Sequence, residues 1–333
     1  MFSVLSVVQF RGALPGVTGK SGRCRVDEFP GAPTAPGRCS MTEVKSDDRK
    51  IVDEAVREIS HIATLPEITV KIIELVEDPT STAQDLHNVI ANDPALCSRI
   101  LKVVNSSFYG LPGQIGSINR AIVLLGLNAV KNIAISASLA KLFRGGELCK
   151  HFSARDVWAH SVATATASKL LADEMGIGVP DEAFLSGLIH EIGVMVEMQW
   201  DRARLVEVTE QLHVVKGAPE KDMREIERLV FGADHEKFGQ ALCERWKFPK
   251  VFATVCGHHH EPLALPSGSR SMACLVSIAD KIAGGVEGGY RLDHVSLNQD
   301  GSVLDELRLT QKQCDDVAQQ LAQAIDETTT LLS

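Results

Sequence analysis

Aromatic residues and β-strand patterns are scarce in this chain of 333 residues. Aromatics make up 5% of the sequence, and regular alternation of apolar and polar residues is rare, which argues against a β-sandwich. No apolar run approaches the ~18 residues that a membrane-spanning helix requires. Positive charge is not in excess either, since the net charge is −9 and the lysines and arginines are scattered. We therefore expect neither nucleic acid nor a membrane as a partner.

The eight cysteines lie far apart, and no two of them form a Cys-x-x-Cys pair. A small secreted domain held by disulfides would need a denser framework. Cys97 and Cys274 stand within apolar helical runs, where a reduced thiol packs as a small hydrophobic group. The pattern therefore predicts core thiols in a reducing compartment, and hence a cytoplasmic protein.

The N-terminal segment differs in composition from the rest of the chain. Its first ten residues are mostly apolar, but the nearby basic residue, Arg11, follows this stretch instead of preceding it, so the segment makes a poor signal peptide. Residues 12–40 are rich in Gly, Pro and Ser and show no periodicity. We predict that residues 1–46 form a disordered leader.

From Arg49 onward, apolar residues recur at helical spacing almost everywhere. Helix-capping residues separate the segments: Asp93 precedes Pro94, and Ser117 precedes the apolar run INRAIVLL. Hairpin signals are lacking, and no repeat period indicates a solenoid. The sequence therefore predicts an all-α fold.

The predicted helices fall into two parts and a tail. We assign residues 47–148 to an N-terminal helical part, 149–286 to a second helical part, and 287–333 to a connection followed by a C-terminal helix. Within the second part, the apolar pattern predicts one helix over 181–198. Residues 286–308 carry turn-forming glycines and asparagine, and we expect them to be irregular.

Two pairs of polar residues stand close together within helices of the second part. Asp156 and His160 are four positions apart, which places carboxylate and imidazole on one helix face, although such pairs are also common at helix surfaces and caps. His190 and Glu191 are adjacent inside the apolar run AFLSGLIHEIGVMVE. Burying both costs several kcal/mol unless a metal ion or hydrogen bonds from other helices satisfy them.

Further candidate ligands follow on separate helices. His235 lies near a helix start, where an exposed histidine is the default interpretation, and the run 258–260 is three histidines at a helix end, where the helix dipole also favours them. Asp280 is a carboxylate inside an apolar helix. Imidazoles and carboxylates on separate helices are what a metal site in a helical bundle needs. This ligand chemistry favours Fe, Mn, Zn or Ni.

Three motifs of the first half narrow the interpretation: Asp-Pro-Ala-Leu at 93–96, Val-Asn-Ser at 104–106 and Leu-Gly-Leu at 125–127. With them, residues 58–285 resemble the HDOD family, an output domain related to the histidine–aspartate (HD) metal-dependent phosphohydrolases. The resemblance implies an all-helical fold in which an N-terminal helical part packs on a degenerate HD part. It also implies a regulatory role in bacterial signalling, mostly without catalysis.

The resemblance also implies a ligand set. Compared with related phosphodiesterases that cleave cyclic dinucleotides, metal-ligand positions fall on Asp156, His160, His190, Glu191, His235, His259, His260 and Asp280. Glu191 stands where those enzymes have aspartate. Val194 replaces a lysine that contacts a substrate phosphate, and residues 263–266 replace a Gly-Tyr-Pro signature. The last two departures argue against turnover.

The leading hypothesis is therefore a non-catalytic regulatory HDOD module that binds a signalling protein through apolar surfaces of its first half. The alternative is a metal-dependent phosphohydrolase acting on a nucleotide or cyclic dinucleotide. In a third version the metal only holds the helices together or senses a ligand. The amphipathic C-terminal helix, over 310–331, either packs on the second part or forms a homodimer.

Overall fold

The computed structural model of the protein describes residues 41–59, 67–106, 109–111, 113–139, 147–149, 152–286 and 290–332. Their secondary structure is almost entirely helical, which confirms the predicted all-α fold. Within these ranges, no helix combines the length and hydrophobicity of a membrane span. Residues 1–40 of the predicted leader lie outside the described residues. Residues 41–46 are already helical, because no glycine or proline interrupts the backbone between 41 and 59.

The helices of the N-terminal part are joined by short capped turns. They are α1 (Met41–Ile59), α2 (Glu67–Glu77), α3 (Ala83–Ala91), α4 (Pro94–Val104), α5 (Ile118–Leu125) and α6 (Leu127–Leu139). Thr82, Asp93 and Ser117 each accept a hydrogen bond from a backbone N–H in the first turn of the helix that follows. The capping roles predicted for Asp93 and Ser117 are confirmed.

Two short antiparallel strands, β1 (Glu147–Cys149) and β2 (Phe152–Ser153), precede the second part. Its helices are α7 (Ala154–Met175), α8 (Pro180–Ile189), α9 (Ile192–Trp200), α10 (Arg202–Gln211), α11 (Met223–Val230), α12 (His235–Arg245), α13 (Lys250–Cys256) and α14 (Ser271–Gly284). The tail contains α15 (Gly301–Leu307) and α16 (Gln311–Leu332).

Two helix predictions differ from the structure. The predicted helix over 181–198 is broken at His190 and Glu191 into α8 and α9. Helix α15 lies within the segment predicted to be irregular: Asp300 caps it by accepting from the backbone N–H of Ser302, and Val303 is buried one turn later. The turn-forming residues before α15 mark a helix start as well as a loop.

Buried apolar side chains form two clusters. The larger joins residues of α1–α6 to residues of α7–α13, so apolar packing continues across residue 148, and the division of the chain there stays a prediction. The smaller involves α7, α8 and α13–α16, and Val317 and Leu321 of α16 are buried in it. Helices α7, α8 and α13 contribute to both clusters. The polar site described next takes its side chains from residues on or beside α7, α8, α12, α13 and α14.

Candidate metal centre

Nine histidine and carboxylate residues come together in the second part of the chain. They are His160, His190, Glu191, His235, His259, His260, Asp280, Asp293 and His294. Their side chains are nearly inaccessible to solvent, and the most exposed of them, that of His294, is 6% exposed. Such a concentration of buried polar groups is rare unless the groups bind one another or a metal ion.

The helix break at His190 and Glu191 directs both residues inward. His190 ends α8 and Glu191 precedes α9, so the two adjacent side chains leave the backbone where the helix changes direction. Helix α9 then lies against the start of α12, where a Cβ atom on Gly193 would be 1.8 Å from the carbonyl oxygen of His235. Only glycine permits this approach, which brings His235 next to the break.

Three imidazoles are oriented by hydrogen bonds from one ring nitrogen. Nδ1 of His190 lies 2.7 Å from the carbonyl oxygen of Gly187, and Nδ1 of His259 lies 3.2 Å from that of Cys256. Because a carbonyl only accepts, each Nδ1 donates its proton and each neutral ring leaves Nε2 with a lone pair. His235 Nδ1 lies 2.8 Å from a carboxylate oxygen of Glu227. Metal-binding histidines are held by outer partners in this manner.

The carboxylate of Asp280 faces histidines on both sides. Its Oδ1 lies 2.9 Å from Nε2 of His160 and 3.5 Å from Nε2 of His190. Its Oδ2 lies 2.8 Å from Nε2 of His294. One carboxylate therefore connects two groups of imidazoles.

Glu191 is buried without such a partner. Neither of its carboxylate oxygens has a hydrogen-bond partner among the described residues, and the nearest imidazole nitrogen, His235 Nε2, is 3.9 Å from Oε2. The buried Nε2 of His259 likewise has no hydrogen-bond partner in the described part of the chain. Buried polar atoms are almost always satisfied, so these atoms fit a cation as their partner.

The electrostatics of the site keep several ligands in the form that binds metal. Burial lowers the pKa of both His259 and His260 well below the usual histidine value, and neighbouring imidazoles act in the same direction. Burial opposes ionisation of Asp280, but His294, His190 and His160 hold its pKa well below the usual value. Neutral imidazoles beside an ionised carboxylate are the forms that a metal binds.

Without a cation, the environment of Glu191 favours its protonated, neutral form. Burial, reinforced by Asp293 and Asp280 against the attraction of His235, raises its pKa to about 7. A bound cation would favour the ionised form and would displace this proton. The charge state of the Glu191 carboxyl group therefore depends on whether a metal is bound.

The ligand atoms form four overlapping groups, in each of which all atoms lie within 4.8 Å of one another. The groups are His160–His190–Glu191, His190–His259–Asp280, Glu191–His235–His259–His260, and His260–Asp280–Asp293–His294. Histidine nitrogen and carboxylate oxygen at this spacing suit Fe, Mn, Zn or Ni. The residues present therefore fit a divalent metal.

Seven of the eight ligands expected from the sequence belong to these groups, and Asp156 does not. Asp156 is exposed in the first turn of α7, and its backbone N–H donates to Oγ of Ser153, the N-cap of that helix. A carboxylate there stabilises the helix N-terminus. The spacing from Asp156 to His160 is correct for one helix face, but the first turn of α7 lies outside the buried site. His258 is also outside the four groups.

Asp293 and His294 were not expected from the sequence. They follow α14 in a segment without apolar periodicity, where a sequence pattern gives no indication of which side chains turn inward. Glu227, which orients His235, was missed for a different reason. It lies on α11 among charged residues that read as an exposed helix face, yet it is fully buried.

Comparisons with known proteins agree with this architecture. The family model of the HDOD domain matches residues 62–262. An HDOD domain protein from Geobacter sulfurreducens superposes with a TM-score of 0.68 at 21% identity, covering 85% of this chain and 97% of that one. A candidate phosphohydrolase from Shewanella amazonensis superposes with a TM-score of 0.65 at 20% identity, covering 85% and 98%. At these identities the likeness shows the fold.

One curated protein also matches. An uncharacterized protein of Treponema pallidum is 23% identical over 240 residues, which cover 72% of this chain. The matched region is 45% of the Treponema protein, so the chain spans less than half the length of that relative.

Proposed function

Because the chain belongs to the HDOD family, we propose that it is a regulatory module of bacterial signal transduction whose second part holds divalent metal in a closed centre. The observation that carries this proposal is the combination of unpartnered ligand atoms with almost complete burial. Both oxygens of Glu191 and Nε2 of His259 lack a hydrogen-bond partner among the described residues, and their side chains are fully buried. A bound cation would supply the missing partner. A site with this geometry is suited to holding helices together in one arrangement.

When bound, the metal supplies positive charge that neutralises the buried carboxylates. The protein residues then define which helices are connected: His160 comes from α7, His190 from the end of α8, His235 from α12 and Asp280 from α14. Metal binding to the folded state alone would raise its stability. A regulatory module can transmit a signal if one arrangement of these helices is favoured over another.

Turnover is disfavoured by two features of the site. Val194, at the position where the resemblance places a phosphate-binding lysine, is an apolar and completely buried residue of α9. Residues 290–294 also lie on the site, where the ring of Tyr290 is 5.5 Å from that of His160 and is itself buried. A phosphate ester would have to displace this segment before reaching the ligand groups.

The first test is metal content. Full-length protein purified without a histidine tag is expected to contain at least about one equivalent of Fe, Mn, Zn or Ni by inductively coupled plasma mass spectrometry. His190→Ala removes an imidazole from two of the four ligand groups and is expected to contain less metal than wild type while remaining helical by circular dichroism. A folded wild-type protein that takes up none of these metals, even when they are added, would refute the proposed centre.

A metal-dependent phosphohydrolase is the second candidate, because the ligand set includes both imidazoles and carboxylates around one buried centre. The metal-loaded protein should then release product from a cyclic dinucleotide or a nitrophenyl phosphodiester, and His190→Ala should not. Lack of hydrolysis by a protein that holds its metal would favour the regulatory proposal. Hydrolysis lost on chelation and recovered on metal addition would favour the enzyme.

A signalling protein is the partner that this proposal requires. In the described N-terminal part, Val123 and Leu124 of α5 are exposed apolar side chains, with 73% and 37% of their surfaces accessible. They offer an apolar contact of the kind expected from the sequence. A cytoplasmic location is also part of the proposal, and it is supported by the free thiols of all six cysteines in the described ranges.

A further inference from the structure

The segment that follows α14 brings two additional ligands to the site. Asp293 and His294 lie beyond the helix that carries Asp280, and both are buried. Nε2 of His294 is 2.8 Å from Asp280 Oδ2 and 3.2 Å from Asp293 Oδ2. Nε2 of His260 is 3.9 Å from the same oxygen of Asp293. Two imidazoles and two carboxylates therefore meet on the Oδ2 side of Asp280.

The spacing of these four ligand atoms suits a metal ion. With metal–ligand distances of about 2.0–2.2 Å, neighbouring ligand atoms lie roughly 3 to 3.5 Å apart and opposite ones about 4.2 Å apart. The separations of 2.8, 3.2 and 3.9 Å fall close to this range. A hydrogen bond explains the shortest distance, between His294 and Asp280. Both carboxylate oxygens of Asp293 are nevertheless buried without a hydrogen-bond partner among the described residues.

Asp280 separates this group from the one on its other side. Its Oδ1 faces His160 and His190, and its Oδ2 faces His294. A carboxylate that presents its two oxygens to two ligand groups is a suitable bridge between two cations. Bridging carboxylates of this kind hold paired metals in helical bundles.

We propose that His260, Asp280, Asp293 and His294 form a second metal position, bridged through Asp280 to the position built on His160 and His190. The ligand types indicate Mn, Fe, Zn or Ni. This inference rests on the metal centre of the proposed function and extends it. The segment 290–294 thereby becomes part of the metal site, and its attachment keeps the site closed.

The test compares metal stoichiometry in full-length variants. Wild-type protein, an Asp293→Asn/His294→Gln double variant and His258→Gln are stripped with chelator, reloaded with Mn²⁺ alone, desalted and measured by inductively coupled plasma mass spectrometry. His258 is a neighbouring histidine outside all four ligand groups, so its variant should match wild type. The double variant should bind one equivalent fewer than wild type and should still bind at the first position. Equal Mn²⁺ content in the double variant and wild type would overturn the second position and leave the first intact.

Failure of the proposed function would look different, because wild-type protein would then bind no Mn²⁺ at all. If the double variant does not fold, Asp293→Asn alone serves with a spectroscopic measurement. Electron paramagnetic resonance of the Mn²⁺-loaded wild type should show two coupled ions, and the single variant should show one isolated ion. An isolated-ion spectrum in fully loaded wild type would overturn the proposal.

Discussion

The N-terminal part of the described chain buries the ammonium group of Lys131 and satisfies it from within, whereas the second part buries the carboxylate of Glu191 and does not. Nζ of Lys131 donates to the carbonyl oxygen of Leu75 and, at 2.7 Å, to Oγ of Ser81. The oxygens of Glu191 find no donor among the described residues. The buried ammonium group is therefore satisfied by the polypeptide itself, whereas the buried carboxylate is placed for an additional positive charge.

The difference extends to helix packing. In the N-terminal part, caps and apolar side chains account for the helix positions. In the second part, two glycines permit backbones to approach closely, Gly193 against α12 and Gly187 against the backbone of Thr164 in α7. These approaches bring the ligand-bearing residues together. The second part should therefore be the more sensitive to small changes in volume.

The largest expected effect comes from Gly193→Ala. The added methyl group would overlap the carbonyl oxygen of His235 and force α9 away from α12, at a cost above about 3 kcal/mol, more than ordinary overpacking. Gly116→Ala is the matched control, because a Cβ atom there meets nothing within 4 Å and should change stability by less than about 0.5 kcal/mol. Urea unfolding measures both. Similar stabilities for the two variants would contradict the close-packing argument.

Removal of the metal should have the second-largest effect on stability. At a free metal concentration of about one hundred times Kd, binding raises the free energy of unfolding by about 2.7 kcal/mol, and a chelator abolishes this gain. The gain should be smaller in His190→Ala, which removes a ligand of the first position, and unchanged in Lys131→Met, since Lys131 lies outside the ligand groups and hydrogen-bonds within the N-terminal part. Thermal unfolding with and without chelator gives the measurement. A chelator effect in His190→Ala as large as in wild type would place the metal elsewhere.

Glu227→Gln should weaken metal binding without removing a ligand. Glu227 accepts hydrogen bonds from Nδ1 and the backbone N–H of His235, and loss of such an outer partner typically lowers metal affinity about 10- to 100-fold. Thr82→Ala, which removes a helix cap in the other part, should cost about 1 kcal/mol and leave metal affinity unchanged. Metal titration and urea unfolding of both variants separate the two effects.

The smallest effect concerns the pH dependence of the metal-free protein. Burial raises the pKa of Glu191 from 4.5 to about 7, so the native state binds more protons over this interval and its stability falls as pH rises through it. Asp85 shows the opposite sign, because hydrogen bonds from Thr82 lower its pKa below 3.8, and its contribution is lost only as pH falls below that value. Glu191→Gln should flatten the decline between pH 4.5 and 7. An unchanged pH profile would show that another group titrates there.

His294 should cause the stability of the metal-free protein to keep falling at higher pH. Burial lowers the pKa of His294, but attraction to Asp280 and Asp293 outweighs it and raises this pKa from 6.5 to about 9. Its contribution to the stability of the metal-free protein is present below pH 6.5 and is lost as pH rises to about 9. His294→Gln should remove this portion, which denaturant unfolding at pH 6 and pH 9 would measure.

The sequence predicted the helical class and most of the polar residues that the structure brings together. Helical spacing and capping residues such as Asp93 and Ser117 act over one or two turns, so they are visible in the sequence. Polar residues inside apolar helices, His190 and Glu191 above all, were recognisable because their burial requires a partner.

The features that the sequence could not show lie at the ends of helices or in the segments between them. Asp156 has the correct spacing to His160, but the first turn of α7 is exposed. Asp293 and His294 lie outside any periodic segment, and only the return of the chain over the site brings them to Asp280. The break between α8 and α9 was also hidden, because the apolar pattern continues through it.

The sequence by itself determined the all-α class, the helix caps and the residue types available as ligands. Tertiary structure alone decided which nitrogen of each histidine faces inward, that Asp280 presents its two oxygens to different groups, and that residues 290–294 cover the site. The physical reason is the distance along the chain between the residues that interact. Helix formation and capping depend on neighbours within a few residues, whereas a ligand group is assembled by packing between helices far apart in the chain, which no local pattern encodes.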